Sequence, residues 1–216
     1  MKDTPDYAKI RYVKRKVEDD QIAHTILDQG LVAHVGFIAG DRPMVIPMAY
    51  ARDGDKLYIH GATKTRAIRK TGGTPMCLTV TLIDGLVCAR SGFNHSVNYR
   101  SVVVHGQARE VTDNAEFDRA LQLVTEHLLP GRYAEVREIG KQEHKATGVI
   151  ALDIEAMTVK VRSGPPVDEP EDLALDIWSG IVPVTTSLGR GIPDGNTPSS
   201  KPEPASFSAA RRKFAL

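Results

Sequence analysis

Apolar and polar residues along this chain change from helical to strand-like spacing near residue 30. Residues 20–27 carry apolar side chains at helical intervals, acidic residues precede them and Gly30 follows, which predicts a helix. Residues 31–39, 43–51 and 56–61 are β-branched or apolar runs separated by turn residues, which is typical of strands. The first part of the chain is therefore predicted as one helix followed by several short strands.

Two Asp-Gly pairs predict hairpin turns. Asp53-Gly54 lies between the second and third runs, and Asp84-Gly85 joins residues 76–83 to residues 86–89. Between the two pairs, residues 63–71 have the composition of a short helix, with Thr63 as its N-cap.

The pattern after residue 98 predicts one long strand, one helix and two further strands. Residues 99–111 form the long strand, with Gly106 as a bulge or bend. An Asp113-to-Glu116 capping box opens a helix that runs to about Leu129, and a last strand pair follows at 148–154 and 158–161. Strands outnumber helices and no regular β-α-β alternation occurs. The predicted fold is mainly β, an antiparallel barrel with flanking helices.

The composition changes after Arg162, because eight of the 13 prolines fall in the last quarter of the chain. Residues 173–184, which include the only tryptophan, Trp178, carry enough apolar side chains to dock on the barrel. We therefore predict a domain at residues 1–184 and an extended arm or disordered tail at 185–216. The part after about Gly195 is expected to be dispensable for folding.

Composition and charge restrict the class of function. The 216 residues are 41% hydrophobic, enough for a core, and 28 basic against 27 acidic residues give a net charge of +1. This balance excludes charge-driven nucleic-acid binding, and the acids after the basic stretch at 9–16 favour an ordinary charged arm over an RNA or membrane patch. No apolar run approaches a membrane span, and the first residues resemble neither a signal nor a transit peptide. Together with reduced thiols at Cys77 and Cys88, this predicts a cytoplasmic protein.

One segment carries the residues that a phosphate site needs. Residues 58–66 run from an apolar strand through a small-residue turn into a helix start that holds Lys64, Thr65 and Arg66. Hydroxyl, ammonium and guanidinium groups next to free backbone N–H groups bind phosphates, although a solvated polar loop has the same composition. The seven histidines show no metal-ligand spacing, so no metal site is predicted.

The stretch from about residue 31 to 111 resembles the pyridoxamine 5′-phosphate oxidase-like FMN-binding split barrels. The resemblance is closest to their flavin-nucleotide-binding and nitroimidazole-reductase-like branch. Residues 44–48, 57–62 and 98–104 carry it, and residues 160–166 and 178–183 extend it more weakly. It implies an antiparallel split β-barrel that forms a homodimer, with FMN in a cleft between the subunits.

The resemblance also implies positions for the cofactor. The edge of the flavin ring would meet the backbone of Val45, Ile46, Pro47 and Met48, and the ring would also lie near Asn98, Tyr99, Arg100 and Ser101. The ribityl chain would be lined by Tyr58 and Ile59. The phosphate would be held by Lys64, Thr65 and Arg66. His60 matches a histidine in the cofactor or ligand pocket of the nitroimidazole-reductase branch.

Two departures from the oxidases themselves change the expected reaction. Ala67 stands where they often carry a third phosphate-binding residue, so Lys64, Arg69 or Lys70 must supply that charge. Met48 stands where they carry a lysine near the ring, which disfavours oxidation of pyridoxamine phosphate.

The expected function is transfer of hydride or electrons between reduced FMN and a small organic acceptor. His60 is the best acid–base candidate, followed by Tyr99, and a structural role for His60 remains the alternative. Three alternatives stay open: haem binding through a histidine, a deazaflavin in place of FMN, and a flavin carrier without a reaction of its own. We expect no nucleic-acid or membrane partner.

Overall fold

The computed structural model describes residues 5–69, 73–198 and 200–215. The strands are β1 (Lys16–Val17), β2 (Ala33–Ala39), β3 (Arg42–Met48), β4 (Tyr50–Asp53), β5 (Lys56–Ala62), β6 (Pro75–Cys88), β7 (Ser96–Glu110), β8 (Thr147–Asp153), β9 (Ala156–Arg162) and β10 (Gly180–Pro183). The helices are α1 (Asp20–Gln29), α2 (Arg66–Arg69), α3 (Asn114–Leu128), α4 (Lys141–Ala146) and α5 (Ala205–Lys213).

Every strand pairing among the described residues is antiparallel. The main path runs β3-β2-β6-β7-β8-β5-β4, β10 pairs with β6, and β9 joins β7 to β1. β3 and β4 end this path, so the barrel is split between them. The predicted antiparallel split barrel with flanking helices is confirmed.

Two apolar cores explain how the barrel and its helices hold together. Alternate residues of β5 point in opposite directions, so Leu57 and Ile59 pack inside the barrel with residues such as Leu78 and Val104. Tyr58 points the other way, into a second core between the sheet and α3. His60 shares the face of Tyr58, because it lies two residues further along the strand.

The two Asp-Gly pairs have different outcomes. Gly54 has a φ of 59° in the turn between β4 and β5, as the first predicted hairpin requires. The second prediction is wrong, because β6 continues through Asp84-Gly85 and a bulge there shifts its register against β7. A Cβ at Gly85 would lie 2.9 Å from the side chain of Ile181, so the glycine allows β10 to pair beside the bulge.

The predicted strand at 43–51 is also corrected, since Ala49 separates β3 from β4 and the two strands pair with different neighbours. Gly106 causes no bulge against β6, where the register continues. A Cβ at Gly106 would lie 2.1 Å from the carbonyl oxygen of Asp153, so glycine is needed for this close approach. The last two strands, β8 and β9, both pair with β7.

Both longer predicted helices begin with a side-chain N-cap, of which the one at Asp113 was expected. Asp19 accepts a hydrogen bond from the backbone N–H of Gln21 in α1, and Asp113 accepts one from that of Glu116 in α3. The helix predicted at 63–71 begins later, at Arg66, so Thr63 is not its N-cap, and the predicted end at residues 70–71 lies outside the described residues. Gly30 ends α1 where a Cβ would lie 2.3 Å from the side chain of Val80.

The C-terminal region is ordered where a disordered tail was one expectation. Residues 173–184 dock through the backbone of β10, yet Trp178 is 67% exposed. The chain then crosses the surface and ends in α5, where Ser206 and Ala210 are buried and Phe214 follows with none of its surface exposed. The Ser206 hydroxyl donates to Glu135 and the Lys213 ammonium donates to the carbonyl of His127, so side-chain hydrogen bonds as well as buried residues hold α5. None of the described helices is long and apolar enough to span a membrane.

Candidate functional site

The edge strand β3 offers backbone groups to a ligand, as the resemblance implies for Val45, Ile46, Pro47 and Met48. In the described part of the chain, β3 pairs with β2 on one side and with no strand on the other. Pro43 and Pro47 lack an N–H and lie two residues before and after Val45. The backbone nitrogens of all three residues therefore lie on the edge of β3 that faces away from β2. We infer that the N–H of Val45 is a free donor between them.

The end of β3 lies next to the turn after β5. A Cβ built on Gly61 would lie 3.6 Å from Cε of Met48 and 3.7 Å from Oγ1 of Thr65. This small residue therefore lets the side chains of the two segments meet. The structure brings together part of the predicted ring-contact strand and part of the predicted phosphate site.

The cations of this turn are available to a ligand. Lys64 and Arg66 are exposed, and neither makes an ion pair within the described part of the chain. The backbone carbonyl of Thr65 accepts a hydrogen bond from the backbone N–H of Ile68, and this hydrogen bond lies at the start of α2. Because α2 is so short, the binding potential of the turn lies in the Thr65 hydroxyl and the two cations rather than in a helix dipole. Lys70 and the side chain of Arg69, the other expected charges, lie outside the described residues.

Tyr58 and Ile59 have buried side chains. Ile59 lies in the barrel core, and the Tyr58 hydroxyl donates to Oε1 of Glu116 over 3.0 Å. Burial, followed by this hydrogen bond, raises the pKa of Tyr58 to about 12. Contacts from these two residues to a ribityl chain would therefore come from their backbone.

Asn98, Arg100 and Ser101 lie on β7 and contact other parts of the protein. Asn98 accepts a hydrogen bond from Arg162, and the Arg100 guanidinium reaches Asp84 at 2.8 Å and Gln29 at 2.9 Å. The Ser101 hydroxyl lies 3.0 Å from that of Thr81 and donates to the carbonyl of Val80.

Within one chain, these β7 residues do not meet the edge of β3. Tyr99 is half-buried on the same strand, paired with Ile83 and Arg162. β2 and β6 separate β7 from β3, about 14 Å along the sheet at the usual strand spacing of roughly 4.8 Å. The predicted ring contacts therefore fall into two groups in a single protomer.

His60 lines a cavity of about 470 Å³ on the α3 side of the sheet. Its Nδ1 is buried and has no hydrogen-bond partner among the described residues. Burial lowers the pKa of His60, so the imidazole is neutral at pH 7. His60 was expected to point toward the cofactor cleft, and the pocket that it lines includes no residue of the phosphate turn at 61–66.

The outer face of β2 and β3 carries exposed apolar side chains, and the N-terminal segment lies beside it, with Tyr7 stacked on His105. A second cavity of about 540 Å³ lies there, lined by residues that include Val45, Cys77 and His105. Val45 is 65% exposed and Ile38 is 61% exposed on this face.

One structural centre was missed by sequence analysis. Glu116 accepts two hydrogen bonds from Arg109, at 2.6 and 2.9 Å, and one from Tyr58, and it lies 3.4 Å from Lys56. Arg109, with Tyr58 and Lys56, holds the pKa of Glu116 at about 2. The predicted capping box would have the Glu116 carboxylate accept the backbone N–H of Asp113. It binds the Arg109 guanidinium instead.

A family model described as pyridoxamine 5′-phosphate oxidase matches residues 19–161, which contain nearly all of the barrel. The chain belongs to this family. The predicted resemblance is thereby confirmed. No curated protein matches the chain closely enough to count as a relative.

Two solved structures are similar over almost the whole chain. The flavocytochrome Anf3 from Azotobacter vinelandii is 34% identical with a TM-score of 0.88, and the similarity covers 95% of this chain and 96% of that one. The FAD- and haem-binding protein from Mycobacterium smegmatis is 32% identical with a TM-score of 0.86, over 91% and 97%. A candidate 5-nitroimidazole antibiotic resistance protein from Bacteroides thetaiotaomicron shares the fold at 22% identity and a TM-score of 0.57, over 68% of this chain and 86% of that one.

Proposed function

We propose that this protein is a flavin-dependent oxidoreductase that works as a homodimer and also binds haem. The observation that carries the proposal is the similarity, over more than nine tenths of both chains, to a flavocytochrome and to an FAD- and haem-binding protein. Both relatives are described by cofactors of electron transfer, and the family to which the chain belongs is named for an oxidase.

The residues present fit a flavin. The edge of β3 supplies free backbone groups for a planar heterocycle, and the turn at Gly61 brings Thr65 next to it. Lys64 and Arg66 are exposed, with no salt bridge inside the described chain, so they can neutralise a phosphate without breaking an existing contact.

The phosphate that follows the ribityl chain is common to FMN and FAD. FMN is the flavin that the sequence resemblance implies, and FAD is the one named for the mycobacterial relative. The proposed turn serves either, and a deazaflavin of the same side chain would use it too. The mass of the released cofactor distinguishes the three.

A second subunit would complete the flavin site. Val45 and Ser101 lie on strands separated by two others, so a ring that touches both needs one of them from another chain. The uncovered apolar face that holds Val45, and the exposed Trp178, are surfaces that a second copy would cover.

A bound flavin supplies hydride exchange and a bound haem supplies single-electron transfer, and the protein positions both. β3 holds the ring edge, Thr65 and Arg66 anchor the phosphate, and the apolar outer face excludes water once it is covered. Met48 packs toward the barrel core and carries no charge, so the protein lacks the lysine that the oxidases place near the ring. We therefore propose electron transfer to a small organic acceptor rather than pyridoxamine phosphate oxidation.

Turnover tests the proposal against a passive flavin carrier. The purified protein, reduced anaerobically with a nicotinamide donor or dithionite, is mixed with quinone and nitroaromatic acceptors while flavin absorbance is followed. Repeated turnover that exceeds the rate of free flavin supports the oxidoreductase. Reoxidation no faster than that of free flavin supports a carrier. Light scattering of the same sample measures the mass, and a monomer that still binds flavin tightly would contradict the shared site.

A further inference from the structure

A polar cavity lies between the N-terminal segment and the outer face of the sheet. Its volume is about 460 Å³, within the range of roughly 300–1,000 Å³ that is usual for small-molecule sites. Its floor consists of residues of β7 and β9, among them Val103, Thr158 and Lys160. Its roof is the stretch from residue 7 to residue 12. The cavity therefore lies on the face of the sheet opposite the inner barrel core.

The roof of this cavity is held against the sheet. One-turn helices at Asp6–Ala8 and Val13–Arg15 both pack against β9. Ala8 is buried, and the ring of Tyr7 lies edge-on to that of His105 on β7, with centroids 5.2 Å apart. The cavity is thus a space between two ordered walls.

The walls of the cavity carry positive charge that the protein itself does not neutralise. Lys160 in the floor and Arg11 in the roof line it, and neither makes an ion pair within the described part of the chain. Lys9, the third basic side chain of the lining, lies 2.5 Å from the carboxylate of Asp6. None of the described lining residues is an aspartate or a glutamate. Two cations in such a cavity are the donors that an anionic group needs.

The pairing of β1 with β9 places two lysines next to each other. Lys16 lies directly opposite Lys160. Both point away from the core, because their neighbours Val17 and Val159 pack into it. Like charges in directly opposed positions repel. Lys16 is neutralised by a salt bridge to Glu18, so an anion bound beside Lys160 would remove the rest of the repulsion.

Apolar and aromatic groups of the cavity suit a flat ring. Val103 contributes apolar surface to the floor, and Tyr7 and Tyr12 contribute aromatic rings to the roof. Aromatic rings pack favourably on one another in stacked or edge-on arrangements. Burial lowers the pKa of His105, so this imidazole is neutral at pH 7 and adds no charge. The lining therefore combines a surface for an aromatic ring with two cations.

Two hydroxyls in the floor differ in what they can donate. The Ser101 hydroxyl already donates to the carbonyl of Val80 over 3.1 Å. The Thr158 hydroxyl makes no hydrogen bond within the described residues, and it lies on the same face of β9 as Lys160. An anionic group in this cavity would therefore be bound by Thr158, Lys160 and Arg11.

We propose that this cavity binds an aromatic anion, a flat ring with a carboxylate, sulfonate or phosphate group, and that this anion is the electron acceptor. The acceptor role rests on the proposed function, because Ser101 in the cavity floor is a residue expected beside a flavin ring held at Val45 of a second copy. A ring that packs on Val103, two residues from Ser101, would then lie next to the flavin. Proximity of this kind is what a transfer reaction requires.

Binding is tested by calorimetric titration of the full-length protein with para-nitrobenzoate and with its neutral analogue para-nitrobenzamide. The parent should bind the anion more tightly than the amide. Lys160→Gln should raise the Kd for the anion at least about 5-fold, between the effect of an exposed ion pair and that of a charge-assisted hydrogen bond. Lys160→Arg keeps the charge and should retain most of the affinity. Lys14→Gln is the matched control, because Lys14 is an exposed lysine of the same N-terminal segment outside the lining, and it should keep the parental Kd.

The acceptor role is tested by anaerobic turnover of the flavin-loaded protein with the same two compounds. The nitro group of each compound takes up a hydride and a proton from reduced flavin, becomes a nitroso group and releases water. Lys160→Gln should lower the ratio of kcat/KM for the anion to kcat/KM for the amide by a factor similar to that in Kd. Lys14→Gln should keep the parental ratio.

The outcomes distinguish the cavity from the proposed function. A parent that binds both compounds equally, or a Lys160→Gln variant with the parental Kd for the anion, overturns the site. Selective binding with an unchanged kcat/KM ratio overturns the acceptor role and leaves an anion site, and so does an effect confined to the KM of a nicotinamide donor. A flavin-loaded parent that binds the anion but turns over no acceptor contradicts the oxidoreductase and leaves the binding site standing.

Discussion

Replacing Arg66 by alanine should separate flavin binding from folding. Arg66 is exposed and makes no salt bridge in the described part of the chain, so the free energy of unfolding should change by no more than about 0.5 kcal/mol. A charge-assisted hydrogen bond to the flavin phosphate contributes about 1.5–3 kcal/mol. At about 1.4 kcal/mol for each factor of ten, the flavin Kd should rise about 10- to 150-fold. Thr65→Ala should raise it less, because a neutral hydroxyl is the weaker partner.

The assay is a fluorescence titration of apoprotein with FMN and with FAD, together with urea unfolding of the apoprotein. Arg42→Ala is the matched control: its side chain is 81% exposed and lies at the far end of β3 from Met48. The control should keep the parental Kd. An Arg66→Ala variant with the parental Kd would refute the reasoning and return this turn to a solvated loop. A Kd change accompanied by an equal loss of stability would show that Arg66 acts through the fold.

Three further variants test the packing. Gly106→Ala should lower the free energy of unfolding, measured by urea titration, by about 1–3 kcal/mol, because its Cβ would lie 2.1 Å from the carbonyl oxygen of Asp153. Gly92→Ala is the control and should leave the free energy of unfolding unchanged, because its Cβ would have no atom within 4 Å. Burial lowers the pKa of His127 from 6.5 to about 4, so protonation favours the unfolded chain. Roughly 3 kcal/mol of the free energy of unfolding should therefore be lost as the pH falls from 6.5 to 4. The free energy of unfolding of His127→Gln should lack this fall in the same pH series, and an unchanged slope would contradict the assignment. A stop after Gly195 removes the buried Phe214, so the midpoint of thermal unfolding should drop, and an unchanged midpoint would restore the view of a dispensable tail.

The sequence predicts the elements of the barrel better than their connections. The period of two in β5 and the Asp53-Gly54 turn are local signals, and both are realised in the structure. Asp84-Gly85 has the same local signal and yet lies within a continuous strand. The difference arises from β10, where Pro183, 98 residues after Gly85, pairs with it, and from Arg100, which binds the bulged Asp84. A residue pair alone carries no information about such partners.

The site shows the same limit. The turn at Gly61 and its cations are contiguous in sequence, so their type could be recognised. The meeting of Met48 with Gly61, and the pocket around His60, depend on segments far apart along the chain, including Val136 and Thr147. The docking of α5 was not predicted because its apolar residues are few, and because the partners of Ser206 and Phe214, which are Glu135 and His127, lie far away in the sequence.

The cofactor content of the untagged, full-length protein tests the central claim most directly. The protein is purified and reconstituted with flavin, its absorption spectrum is recorded, and the released cofactor is weighed by mass spectrometry and quantified against the chain. The proposed function predicts a flavin nucleotide in each chain of a dimer, with FMN or FAD identified by its mass. A dimer that retains neither flavin after reconstitution would contradict the claim, whatever its fold.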